Sequence, residues 1–93
     1  MIATAIQKDI GHLLSELSEL NIGVVESTFD ATNFGNYIVA LAGPNDSFAI
    51  VRDKGQYLID GDVNALKRMG LWRAYDSRED FRTAVLAYVR AVV

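Results

Sequence analysis

The chain has 93 residues, of which 51% are hydrophobic and 23% charged, with one proline and no cysteine. That is enough for a single domain, residues 1–93, with one core that buries roughly 60–65% of the unfolded surface; disulfide frameworks, thiolate metal sites and cysteine nucleophiles are excluded. Twelve acids against nine bases leave a net charge of −3, the wrong sign for a chain whose main partner is nucleic acid.

Met1 to Gln7 lacks the basic region and continuous apolar run of a secretion signal. No stretch reaches the ~20 apolar residues of a membrane span. These features, with the lack of cysteine, lead us to expect a cytoplasmic protein that does not engage a membrane.

The first element is a helix. Ile2, Ile6, Ile10, Leu13, Leu14, Leu17 and Leu20 recur at spacings of three and four and form one apolar stripe. Asn21 or Gly23 can stop it, because both tolerate the left-handed backbone of a helix end.

Four strands follow, over residues 24–29, 37–42, 48–52 and 56–60. The first is rich in β-branched and aromatic residues. Residues 30–35 form a loop, Gly43-Pro44-Asn45-Asp46 a tight turn, and Asp53-Lys54-Gly55 a hairpin connection. Such short connections imply an antiparallel meander.

Asp62 can cap a short helix over residues 63–69, with Gly70 closing it. Residues 71–75 read either as loop or as a short extended piece. Ser77 and Asp80 resemble a capping box for a last helix over residues 78–92, whose apolar stripe is Phe81, Ala84, Val85, Tyr88, Val89 and Val92. The fold class is therefore α+β: a four-stranded antiparallel meander with N- and C-terminal helices packed on one face, in the order α-β-β-β-β-α-α.

Both sets of alternate strand positions are apolar. One set is Ile38, Ala40, Ala42, Ala49 and Val51, whose small alanines would let helices approach closely. The other is Tyr37, Val39, Leu41, Phe48, Ile50 and Arg52. A face turned to plain water should be more polar than either. We therefore expect the second face to be covered, by a protein partner, by a copy of this chain in a homodimer, or by the short helix or a curled sheet of the chain itself.

Charge is unevenly spread. Residues 1–62 hold nine acids and three bases, whereas residues 63–93 hold three acids and six bases. This describes either two solvated faces or an acidic surface that attracts a basic partner.

Chemistry is sparse. His12, the one histidine, falls on the polar side of the first helix with Lys8, Glu16 and Glu19. Asp60 and Asp62 flank Gly61 and are the first residues to test for paired-carboxylate catalysis, which needs a cleft that drives their pKa values apart; as a strand end and a helix cap they need no such role. Asp30, Asn33 and Asn36 do not match the denser, Glu-terminated spacing of a calcium loop. No phosphate-binding glycine loop or nucleophile elbow occurs, so we expect no catalysis, no metal and no cofactor. Trp72, with Arg73 and Tyr75 and near Lys67, Arg68 and Arg78, is a faint version of an aromatic–basic surface for single-stranded nucleic acid. Core packing of Trp72 is the expectation, and the edge of a protein interface the alternative.

Phe34-Gly-Asn-Tyr-Ile-Val-Ala-Leu41 and Phe48-Ala-Ile-Val-Arg-Asp-Lys-Gly-Gln-Tyr-Leu-Ile-Asp60 resemble small immunity proteins of bacterial polymorphic and contact-dependent inhibition toxin systems. Those carry an aromatic-Gly-Asn or -Asp stretch, a strand, and a hairpin reading roughly Val-Arg-Asp-Arg-Gly-Gln; Lys54 stands here where Arg is commoner. The resemblance covers residues 34–60 and implies direct neutralisation of a toxin domain, with no particular binding residue carried over. Together with the acidic first two-thirds, it makes Glu26, Asp30, Asp46, Asp53, Asp60 and Asp62 the candidate partner contacts. A homo-oligomeric structural or regulatory module using Tyr37, Val39, Leu41, Phe48 and Ile50 is the alternative; a small enzyme built on Asp60 and Asp62 is another.

Overall fold

The structure, a computed structural model, describes residues 2–93; Met1 lies outside the described residues. Helix α1 (Thr4–Glu19) precedes strands β1 (Gly23–Asp30), β2 (Asn36–Ala42), β3 (Ser47–Asp53) and β4 (Gln56–Asp60), then helices α2 (Val63–Arg68) and α3 (Arg78–Ala91). The strands form one antiparallel sheet in the order β1-β2-β3-β4. This is the expected α+β meander.

Local chemistry sets the boundaries. Of the two possible stops for α1, Asn21 is the one used: its φ is +63°, and Ile22 N–H reaches back to Leu17 O at 2.9 Å while Asn21 N–H reaches Ser18 O at 3.0 Å. This paired closure seats Ile22 in the core and leaves Gly23 free to begin β1. Helix α2 ends the same way, with Gly70 at φ +73° and Leu71 N–H bonded to Leu66 O at 2.8 Å. Its start is capped by Asp62, which accepts from Ala65 N–H at 3.1 Å. Ser77 caps α3 by accepting from Asp80 N–H at 3.2 Å. No helix among the described residues is long and apolar enough to cross a membrane.

The sheet faces are the reverse of what the alanines suggested. Tyr37, Val39, Leu41, Phe48 and Ile50 are buried beneath the helices, and Ile38, Ala40, Ala42, Ala49 and Val51 lie on the outer face. The reason is volume: the space between a sheet and two helices must be filled to near-crystalline density. Tyr57 stacks on Phe81 and Phe48 meets Tyr88 edge-on, at ring-centroid distances of 5.1 and 5.8 Å. Ile6, Leu17, Leu66 and Val85 complete the fully enclosed centre. Alanines there would leave cavities. The residues that suggested a homodimer are thus core residues, covered chiefly by α1 and α3 and not by a partner or copy.

One open reading is resolved and one further expectation changes. Residues 71–75 contribute one bridge, Tyr75 to Tyr57, with both hydrogen bonds at 2.8 Å along the outer edge of β4. That bridge buries Tyr75 and turns Trp72 outward, 47% exposed; Trp72 is not a core residue. β1 carries a bulge at Val25, between Val24 and Glu26, and is the sheet's free edge.

Candidate functional site

Strand register places the candidate acids. One row across the outer face is Glu26–Ala40–Ala49–Asp60 and the next Thr28–Ile38–Val51–Leu58; the last joins the pairs Asp30–Asn36 and Asp53–Gln56 through the Asn36–Asp53 side-chain hydrogen bond. Directly paired residues of antiparallel strands point to the same side. Glu26, Asp30, Asp53 and Asp60 therefore share the outer face. Asp46 and Asp62 lie in the connections beside it, sharing a shallow depression with Ala40, Ala49 and Asp60. A second depression, at the opposite end, is lined by Thr28, Asp30, Ile38, Val51 and Asp53 among others. All six acids are exposed.

The result is an apolar band with carboxylates at both ends. Ile38 is 49% exposed, and Ala40, Ala49, Val51 and Leu58 are partly exposed. No outward-facing strand position carries Lys or Arg; Lys54 stands at the hairpin turn, and Arg52 belongs to the inner row Tyr37–Arg52–Tyr57. Like charges concentrated this way repel one another and raise the local attraction for a cationic surface. Two of the acids already have local partners: Asp53 accepts from the Asn36 amide at 3.1 Å, and Asp30 from Thr32 Oγ1 at 2.8 Å and Thr32 N–H at 3.0 Å.

A second cluster was missed at the level of sequence. Asp9, on α1, is only 13% exposed at its side chain. Its carboxylate accepts from Tyr37 Oη at 2.7 Å, Tyr57 Oη at 2.8 Å and Arg52 Nη1 at 2.8 Å; Arg78 Nη1 lies at 3.4 Å and also donates to the Asp9 carbonyl at 3.1 Å. One side chain thus ties α1 to three strands and to α3. The helix breaks regular geometry immediately after it, with Ile10 at φ −124° and ψ 18°. The clue in the sequence is that Asp9 lies three residues after Ile6 and four before Leu13, inside the apolar stripe.

Burial is the largest influence on Tyr37 and pushes its phenol well above the ordinary 10, with the hydrogen bond to Asp9 adding to it. Tyr57 is raised for the same reasons. Phenols that hold their protons this firmly suit a clamp better than proton transfer at neutral pH. Arg52 lies 5.2 Å from the centre of the Tyr57 ring, and its Nε is buried without a hydrogen-bond partner.

Beside this clamp, a cleft of about 490 Å³ between α1 and α3 is lined by Lys8, Asp9, His12, Glu16, Arg78, Glu79 and Arg82, among others. Its charges are mixed, and one pair is engaged: Glu16 forms a two-pronged pair with Arg82 through Nε at 2.7 Å and Nη2 at 2.5 Å. That pairing holds the Glu16 carboxyl below its usual range. His12 sits exposed at the rim. Asp60 and Asp62 are both exposed, and Asp62 is engaged as the α2 cap. Asp30 ends β1 and Asn36 begins β2, with Asn33 in the turn between them, where Asn36 N–H bonds Asn33 O at 3.1 Å. Among the described residues, no three His, Asp or Glu side chains gather as metal ligands. Trp72 stands outside the acidic face, with Arg73 over the Tyr75 ring at 4.6 Å.

Compared with known proteins, the chain matches no family model, no curated protein and no solved structure.

Proposed function

We propose that this protein is an antidote: it binds a basic bacterial toxin domain through the outer face of its sheet and neutralises it by occupying its working surface. The observation that carries this is the apolar band of Ile38, Ala40, Ala49, Val51 and Leu58 with acids at both ends and no outward-facing base. An apolar centre with a charged rim is how specific protein interfaces are built, and one-signed charge accelerates encounter with the opposite sign. The likeness of residues 34–60 to immunity proteins supplies the toxin as the partner. A second copy of the chain is the poorer occupant, because it would set acids against acids.

The test is co-expression with the product of the adjacent gene, which this reading expects to carry a toxic domain, followed by binding of the purified pair. We expect rescue of growth, a complex that weakens steeply with added salt, and loss of both when Ala49→Arg places a bulky cation mid-band. Neither rescue nor complex with the unaltered protein would sink the reading.

A further inference from the structure

Phe34 is the most exposed large apolar residue of the described chain, at 75%, and its backbone sits at φ +59°, followed by Gly35 at φ +66°. Left-handed backbone suits glycine or asparagine and disfavours a bulky side chain. The ring is left largely in water, so core packing does not offset that cost. The surrounding loop is nonetheless well braced. Asp30 holds Thr32, and Asn36 bridges to the neighbouring hairpin by accepting from Lys54 N–H at 2.8 Å and donating to Asp53 at 3.1 Å.

We infer that Phe34 is the anchor of the complex, an aromatic plug for an apolar pocket rimmed by Lys or Arg on the basic partner. The inference rests on the proposed function and adds the contact that dominates it. Large aromatics carry a disproportionate share of interface energy, and a braced loop loses little freedom on docking. Asp30 and Asp53, in the sheet's last row beside this loop, supply charge complementary to the pocket's rim. Phe34 itself stands in the connection between Asp30 and Asn36, the last paired residues of β1 and β2.

The experiment uses the full chain and the adjacent gene's toxic domain, silenced by an active-site substitution, with Kd from calorimetry and the melting midpoint of each variant. Phe34→Gly is expected to melt at or above the unaltered protein, because glycine relieves the positive φ, yet to raise Kd at least tenfold. Phe34→Asn, which keeps a side chain suited to this backbone, should weaken binding equally, and Phe34→Trp should retain it. If both weakening variants stay within twofold while Ala49→Arg weakens binding, the anchor is wrong and the docking face stands. If Phe34→Gly weakens binding and Ala49→Arg does not, the anchor stands and the face is misplaced. A toxic domain that does not bind the unaltered protein overturns both.

Discussion

The inner face of the sheet carries Tyr37, Val39, Leu41, Phe48, Ile50, Tyr57 and Ile59; the outer face, one residue out of phase, carries Ile38, Ala40, Ala49, Val51 and Leu58. Both are apolar along their centre. They differ in bulk and in what stands at their ends. The inner face is thick with aromatic rings and ends in Arg52, whose charge is met by Asp9. The outer face is shallow and ends in exposed carboxylates that no Lys or Arg pairs. A surface meant to be sealed permanently within one chain fills space and balances its ions internally. On the proposed function, the outer face can stay shallow and keep its charges unmatched until a partner docks.

Truncation should expose this difference most strongly. Phe81→Ala, beneath the inner face, should cost about 4 kcal/mol, whereas Ile38→Ala on the outer face should cost less than about 1 kcal/mol. Urea denaturation of the two variants measures this; similar losses would mean that the outer face is also packed in solution. Next in size is Asp9→Ala. It leaves Arg52 and two phenol hydroxyls without their shared acceptor, and about 3 kcal/mol of stability should disappear.

Alkaline titration sharpens the contrast differently, because all four tyrosines belong to the inner layer and all are raised, mainly by burial. The unfolded chain ionises its phenols near 10; the folded chain holds on to the protons. Below that pH both states are neutral at tyrosine and the stability is intact. Above it the unfolded state alone gains by ionising, so stability should begin to fall near pH 10 and go on falling as the pH rises further. Phenolate absorbance should rise together with unfolding. An early rise in the still-folded protein would show the inner layer to be wet. A last effect belongs to neither face: Ser77→Ala removes one cap and should cost about 1 kcal/mol, a baseline for the other losses.

Much of this architecture was legible in the sequence where the determinants are local. Asn21, Gly70, Asp62 and Ser77 mark helix ends through their own backbone preferences or short-range bonds. The sheet's order follows from connections too short for anything but hairpins. What was not legible depends on three-dimensional volume or on distant partners. The alanines suggested close approach of helices, but two helices above a sheet leave a gap that only large side chains fill. Asp9 finds its partners 28, 43, 48 and 69 residues away, beyond any periodicity. Trp72 looked like core by composition, and the Tyr75–Tyr57 bridge displaced it. The six candidate acids could be named one by one; that four of them share a face follows only from strand register.

The bridge at Tyr75 has a consequence for assembly. It occupies the N–H and carbonyl of Tyr57 on the outer side of β4, while among the described residues no strand pairs with the rim of β1. Open-ended stacking of sheets needs two adhesive edges per molecule, and the bridge leaves β4 little open backbone to offer. Backbone-to-backbone self-association beyond a pair should therefore be disfavoured.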